Sequence, residues 1–395
     1  MTTMFAVLRS ARKSLARLAL VAGALALAAC QPGPIGGGTG PSIDTRAPVP
    51  VALLVPGGSD QPGDALLAKS LENAARLAIS DLDGVAIDLR VYNTAGDAGR
   101  AGQVAREAVS DGAKIILGPV YAQAANAAGL AAASRNVNVL SFSNNTGIAG
   151  GNVFVLGRTF DNTAERLVRY AQAEGRSRIM IVHDQTVAGE TGREAIQRAI
   201  YNAGAIRAGT ASYEFSQNGV VQAIPAITEA VDANQPDALF LTADTSGALP
   251  LLAQLLPENG VKTDTTKFIG LTRWDIPAST LALPGVQGGW FALPDPALND
   301  RFRARYETAF GEGAHPIAGL AYDGIAAIGA LVRQGNRDAL TAAALTQPSG
   351  FVGVDGIFRL RQDGTNERGL AVAEIRDNQV FVIDPAPRSF GGAGF

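Results

Sequence analysis

From Val49 almost to the end of the chain, short continuously apolar runs alternate with segments whose apolar residues recur every three to four positions. VPVALLV (49–55), VAIDLRV (85–91), KIILG (114–118), VNVLSF (137–142) and NVFVLG (152–157) read as strands. In the helix after the first of them, Leu67, Leu71, Ala74, Ala75, Ala78 and Ile79 share one face. Strands without polar alternation are covered on both sides, and strand–helix alternation builds a parallel sheet wrapped by helices. The pattern restarts at Asn162-Thr163-Ala164-Glu165, read as a capping box with Asn162 as N-cap. RIMIVH (178–183), IRAGTASYEF (206–215), ALFLTA (238–243) and KFIGLT (267–272), with their helices, make a second unit. GVQGGWFAL (285–293), helices near 297–310 and 316–333, and closing strands over 356–360 and 369–384 remain. Two units with elements left over imply two lobes joined by repeated crossings, and 395 residues suit two cores. Ligands of open α/β sheets sit beyond the carboxyl ends of the strands, so the cleft between lobes is the expected site.

Composition removes several function classes. A net charge of −3 with no basic stripe argues against nucleic acid as a partner. Two histidines and one cysteine leave little for metal chemistry, and no Gly-Lys pair, HExxH, CxxC or GxSxG signals a nucleotide, metal or nucleophile site. His183 directly precedes Asp184, but sequence neighbours on a strand point to opposite faces. The expectation is a binding protein, not an enzyme, with no cofactor.

The first residues constrain location. Arg9, Arg12, Lys13 and Arg17 precede an apolar run from Leu18 to Ala29, too short for a comfortable membrane span. Leu27-Ala28-Ala29-Cys30 resembles a bacterial lipobox, which implies a signal over 1–29, cleavage before Cys30 and acylation of that residue. A periplasmic, lipid-anchored protein follows from this resemblance, and Gln31 rather than Asp after the cysteine favours the outer over the inner membrane. Residues 30–48 read as a Gly/Pro-rich tether and 385–395 as a flexible tail.

Two strand-to-helix loops stand out. One carries Gly118-Pro119-Val120-Tyr121-Ala122-Gln123, the other Ser141-Phe142-Ser143-Asn144-Asn145-Thr146-Gly147. Both lie at carboxyl ends of parallel strands, where free N–H groups can hold an anionic or polar group. The same side chains can also serve as helix caps.

Several segments, in order, resemble the type I periplasmic binding proteins of the leucine/isoleucine/valine class. They are Tyr92-Asn93-Thr94-Ala95-Gly96-Asp97, Ile116-Leu117-Gly118-Pro119, Val182-His183-Asp184, Gly288-Gly289-Trp290-Phe291 and Leu320-Ala321-Tyr322-Asp323-Gly324. The resemblance spans about Pro50 to Asp384. It implies a two-lobed α/β fold, each lobe a parallel-type sheet flanked by helices, with three hinge crossovers. One lobe is expected over 49–159 and 285–345, the other over 160–284 and 346–384. It places Ala122, Gln123, Ser143 and Asn145 where amino-acid binders hold the ligand carboxylate. Thr272-Arg273-Trp274 stands where those binders carry an acid for the ammonium, and their covering aromatic is absent near Val187-Ala188-Gly189. The expected cleft has Tyr121, Gln123, Ser143, Asn144, Asn145 and Thr146 on one wall and Arg273 and Trp274 on the other, favouring an acidic or neutral polar ligand. Lipidation and the altered pocket resemble the penicillin-binding protein activators, implying a peptidoglycan synthase as partner. The alternative partner is an ABC permease, with a branched-chain-type amino acid as cargo.

The lipid anchor is directly testable. Cys30→Ser is expected to move the protein from the membrane to the soluble periplasmic fraction, or to leave an unprocessed precursor. Fractionation with immunoblotting reads the outcome, and unchanged processing and membrane retention would exclude the anchor.

Overall fold

Parallel strands covered by helices account for most of the order in the computed structural model, which describes residues 40–390. The signal segment, Cys30, most of the expected tether and the last five residues lie outside the described residues. In the first lobe, β1 (Val49–Val55), β2 (Ile87–Asn93), β3 (Ile115–Leu117), β4 (Asn138–Ser141) and β5 (Val153–Val155) are all parallel, in the order β2-β1-β3-β4-β5. Helices α1 (Asp64–Ser80), α2 (Ala98–Ser110) and α3 (Ala122–Ala133) connect them.

The chain then crosses to a second lobe through α4 (Phe160–Ala173). There β6 (Arg178–Asp184), β7 (Ile206–Tyr213), β8 (Ala238–Leu241), β9 (Lys267–Gly270) and β10 (Trp290–Leu293) run parallel, interleaved with α5 (Val187–Ala203), α6 (Gln217–Asn234) and α7 (Leu249–Glu258). It returns to the first lobe for α8 (Pro296–Phe310), α9 (Gly319–Val332) and the short α10 (Ala342–Leu345). A small antiparallel sheet follows, β11 (Phe351–Gly353), β12 (Gly356–Leu360) and β13 (Asn366–Arg368). β14 (Ala371–Arg376) and β15 (Gln379–Asp384) finally add antiparallel to β10, giving the order β15-β14-β10-β9-β8-β6-β7. Among the described residues no helix is long and apolar enough to cross a membrane.

The continuous apolar runs have a simple cause. Val51, Leu53 and Val55 of β1 face the core shared with α1 and α9, whereas Ala52 and Leu54 face α2 and α3. In β6, Met180 and Val182 point to one core of the second lobe and Ile179 and Ile181 to another. Each fully buried aliphatic side chain contributes about 1.5–3 kcal/mol, so a polar residue on either face of these strands would be costly.

Local signals differ from the sequence reading at three points. The cap of α4 is Thr159, not Asn162: the Thr159 hydroxyl accepts from the Asn162 N–H, and the Asn162 side chain accepts from the Thr159 N–H. The capping box is therefore present but starts three residues earlier. The strand over 290–293 belongs to the second sheet, and Phe351, Phe358 and Leu360 pack into the first lobe's core. The chain thus crosses after Leu293 and after Arg368, not at 285 and 346, because an apolar strand reads the same whichever sheet it joins. Residues 385–390 are not a loose tail: Ala386 joins the second lobe's core, and the Arg359 guanidinium lies 4.7 Å from the Phe390 ring centre.

Three crossings form the hinge, side by side. Asn366 Nδ2 donates to the main-chain oxygens of Val155 (2.9 Å) and Gly157 (2.8 Å), and the Asp295 N–H donates to the Asp355 oxygen at 3.2 Å. Arg368 binds the Leu156 oxygen with Nε (3.1 Å) and Nη2 (2.6 Å), and Asp323 of α9 with Nη1 (3.0 Å). Asp323 also accepts from the Val354 N–H at 2.7 Å. Burial raises the Asp323 carboxyl above the usual range, although Arg368 pulls it down. Asp323→Ala leaves the Arg368 charge buried with no counter-charge, so a loss of about 3–5 kcal/mol is expected in urea unfolding.

Candidate functional site

At the carboxyl end of β3, Gly118 takes a left-handed φ of 81°, and a Cβ there would collide with the Leu54 main-chain oxygen. That tight passage delivers the chain to Tyr121, the N-cap of α3, whose side chain caps nothing. The Tyr121 hydroxyl instead donates to the Asp64 carboxylate, which together with burial raises Tyr121 to about 12. The first-turn N–H groups of α3 therefore have no side-chain acceptor.

The loop after β4 is a staircase of side chain to main chain bonds. Ser141 Oγ accepts from Ser143 N–H (3.1 Å), Ser143 Oγ from Asn145 N–H (3.1 Å), and Asn145 Oδ1 from Gly147 N–H (2.8 Å). These acceptors are taken up internally, while the Ser143 hydroxyl proton and the side-chain Nδ2 groups of Asn144 and Asn145 have no acceptor among the described residues.

These loops share a cavity of about 490 Å³ with Arg158, Asp355, Ile317 and Leu320. Arg158 lies on the first crossing, between β5 and α4. It is partly open to the cleft and makes no hydrogen bond or ion pair with the described residues. Burial lowers its guanidinium below the usual arginine value; Asp355 opposes that shift and Arg273 adds to it. The Asp355 carboxylate is itself held by Asn299 Nδ2 at 2.8 Å. Arg158 is thus a half-buried cation with donors to offer, in a cavity lined also by Ser143, Asn144, Asn145 and the Asp355 carboxylate.

The sequence profile of the periplasmic binding proteins matches residues 48–379. This chain belongs to the periplasmic binding protein family. Solved structures agree on the fold. One described as a branched-chain amino acid ABC transporter from Rhodospirillum rubrum has a TM-score of 0.73 at 18% identity, covering 85% of this chain and 100% of that one. A branched chain amino acid ABC transporter periplasmic ligand-binding protein from Burkholderia xenovorans LB400 has a TM-score of 0.66 at 16% identity, covering 88% and 97%. A solute binding protein of an ABC transporter from Rhodopseudomonas palustris BisB5, in complex with 3,4-dihydroxy benzoic acid, has a TM-score of 0.60 at 18% identity, covering 86% and 98%. No curated protein matches the chain.

In this periplasmic binding protein, Tyr121, Ser143, Asn144 and Asn145 line the cavity together. Gln123 is exposed on α3, and Thr146 opens the short 3-10 turn after the loop; neither is in the lining. Arg273 is drawn to Asp275, with Nε donating to Oδ1 at 2.6 Å, and does not present a free charge. Trp274 does not face the cleft at all. Its indole is fully buried in the second lobe's core, over Gly270 and Gly289, where a Cβ on either glycine would strike the ring.

The side chains of His183 and Asp184 do not bond to each other. His183 Nδ1 lies 2.9 Å from the main-chain oxygen of Asp184 and 3.6 Å from Glu190, and the Asp184 carboxylate is taken up by Thr186 and Thr242. Among the described residues no group of three or more His, Cys, Asp or Glu could hold a metal ion.

Sequence reasoning missed Arg158 and Asp355. Arg158 follows the buried run of β5 directly, so the strand-end rule that singled out 118–123 reaches it too. Asp355 lies in a turn that only the return of the third crossing brings to the cavity. If Trp274 is a packing residue, Trp274→Ala costs about 3–5 kcal/mol in thermal or urea unfolding. The same substitution is expected to leave solute affinity unchanged under conditions where the variant is folded.

Proposed function

We propose that this periplasmic binding protein captures a small polar solute between its lobes without transforming it, as the extracytoplasmic component of an ABC importer. The observation that carries this reading is the cavity itself: Ser143, Asn144, Asn145 and Arg158 converge on it with side-chain donors that none of the described residues accepts. Polar groups held ready in a cleft are matched by a ligand or by water, and closure of the hinge exchanges the second for the first. Non-enzymatic capture fits the placement of His183, whose Nδ1 meets the main-chain oxygen of Asp184 and not its carboxylate. The similar solved structures support the same reading: two are described as branched-chain amino acid transport proteins, and one holds a dihydroxybenzoate. The lipobox at Leu27-Ala28-Ala29-Cys30 supports a periplasmic protein tethered to a membrane through an acylated cysteine, the outer one by the Gln31 pattern.

A second reading, stimulation of a penicillin-binding protein by surface contact, draws on that lipobox and on the loss of an acid at Thr272-Arg273-Trp274. The unpaired donors favour a working cleft, and so favour transport. A solute at 100 times its dissociation constant is expected to stabilise the fold by about 2.7 kcal/mol, visible as a rise in melting temperature. Small-angle scattering should show compaction with the same solute. Crosslinking in intact cells followed by mass spectrometry should then recover a permease; a peptidoglycan synthase as the main product, with no solute effect, would reverse the assignment.

A further inference from the structure

We propose that the solute is a small monoanionic carboxylate with an apolar body and no ammonium group, and that Arg158 selects it. This rests on the reading of the cleft as a ligand site and names what that site takes.

Four observations converge. The Arg158 guanidinium has no acceptor among the described residues, yet it lines the cavity at the hinge. Its planar fork matches a carboxylate through two parallel N–H···O bonds, and a closed cleft that left it unmatched would strand a charge away from water. Ser143, Asn145 and the open first turn of α3 supply further donors to the same space. Apart from Asp355, the polar lining is made of donors that an acceptor-rich, donor-poor group would match.

The count of charges limits the anion to one. Asp355 lines the same cavity, so a second negative charge on the solute meets a like charge in a medium that screens it poorly. A phosphate monoester or a dicarboxylate is disfavoured on that ground.

The carboxylates at the second lobe's strand ends offer an ammonium no partner in this cavity. Asp184 is held by Thr186 and Thr242, Glu190 by Arg193 and His183, and Asp275 by Arg273. Asp244 is exposed and bonded to Ser246, and none of these four carboxylates is part of the cavity lining. An amino acid's ammonium would enter a space whose one carboxylate among the described lining residues, Asp355, is held by Asn299. The remaining lining, Val120, Phe142, Ile317 and Leu320, is apolar and suits a hydrocarbon or aromatic body.

Isothermal titration of the purified protein tests this with benzoate and isovalerate as monocarboxylates. Benzamide serves as the neutral match, leucine as the zwitterion and inorganic phosphate as the multivalent anion. Binding of at least one monocarboxylate is expected, with the amide, leucine and phosphate much weaker. Arg158→Met should weaken the carboxylate by roughly 10- to 100-fold, the worth of a charged hydrogen bond, and Arg158→Lys by less. The melting temperature of each unliganded variant checks folding, and if Arg158→Met does not fold, the acid–amide comparison on the unaltered protein decides alone. Leucine or benzamide binding as tightly as the acids, or binding untouched by Arg158→Met, would overturn the inference while leaving solute capture intact. No binding from this set or from a broad solute library would overturn both.

Discussion

The two lobes depend on one buried ion pair. Arg368, on the last crossing, reaches the end of β5 on the first crossing and Asp323 on α9, with side chains 2% and 0% exposed. A charge buried so completely is tolerated only when its counter-charge and remaining hydrogen bonds are all in place. Here the Leu156 oxygen and the Val354 N–H complete the set. The pair fixes where the three crossings lie, and hence the end of β5 from which Arg158 enters the cleft. Because its hydrogen bonds are directional, it sets their register more sharply than an apolar contact of the same size would.

From that hinge outward, the cleft is assembled mainly by one lobe. The loops after β3 and β4, the crossing at Arg158 and the turn at Asp355 bring the polar groups, while α9 and the segment before it bring Leu320 and Ile317. The facing ends of β6, β8 and β9 bring carboxylates already matched to local partners. The Trp274 indole, buried in the second lobe's core, lies outside this lining.

The fold was legible because its signals are local or periodic. Buried parallel strands are apolar throughout, helices carry one apolar face, and both survive without knowledge of neighbours. The polar loops at 118–123 and 141–147 were legible for the same reason, since strand ends are visible in sequence. What sequence could not resolve was pairing at a distance. β10 could join either sheet, and its place is decided by β9 and β14. Trp274 and Arg273 follow β9 directly, in a position suited to a ligand. Gly270 and, fifteen residues past the tryptophan, Gly289 make a slot for the indole, and a neighbouring aspartate claims the guanidinium. Arg158 is legible as a strand-end residue, but its lack of a partner is a fact about every other side chain.

The order in which the chain visits its lobes has a consequence for synthesis and export. The first lobe is built from residues up to Leu156 and again from Pro296 to Arg368; the second receives its β14 and β15 only after that. Strand β14 pairs with β10 across some eighty residues, between Trp290 and Glu374. Neither lobe can close its core while the carboxyl-terminal segment is still being made. Pairings of such long sequence separation form slowly, because loop entropy is lost before contacts repay it. A chain threaded outward from its amino end therefore stays incompletely folded until nearly all of it has passed, which keeps it competent for translocation and leaves the final strands to set the moment of folding.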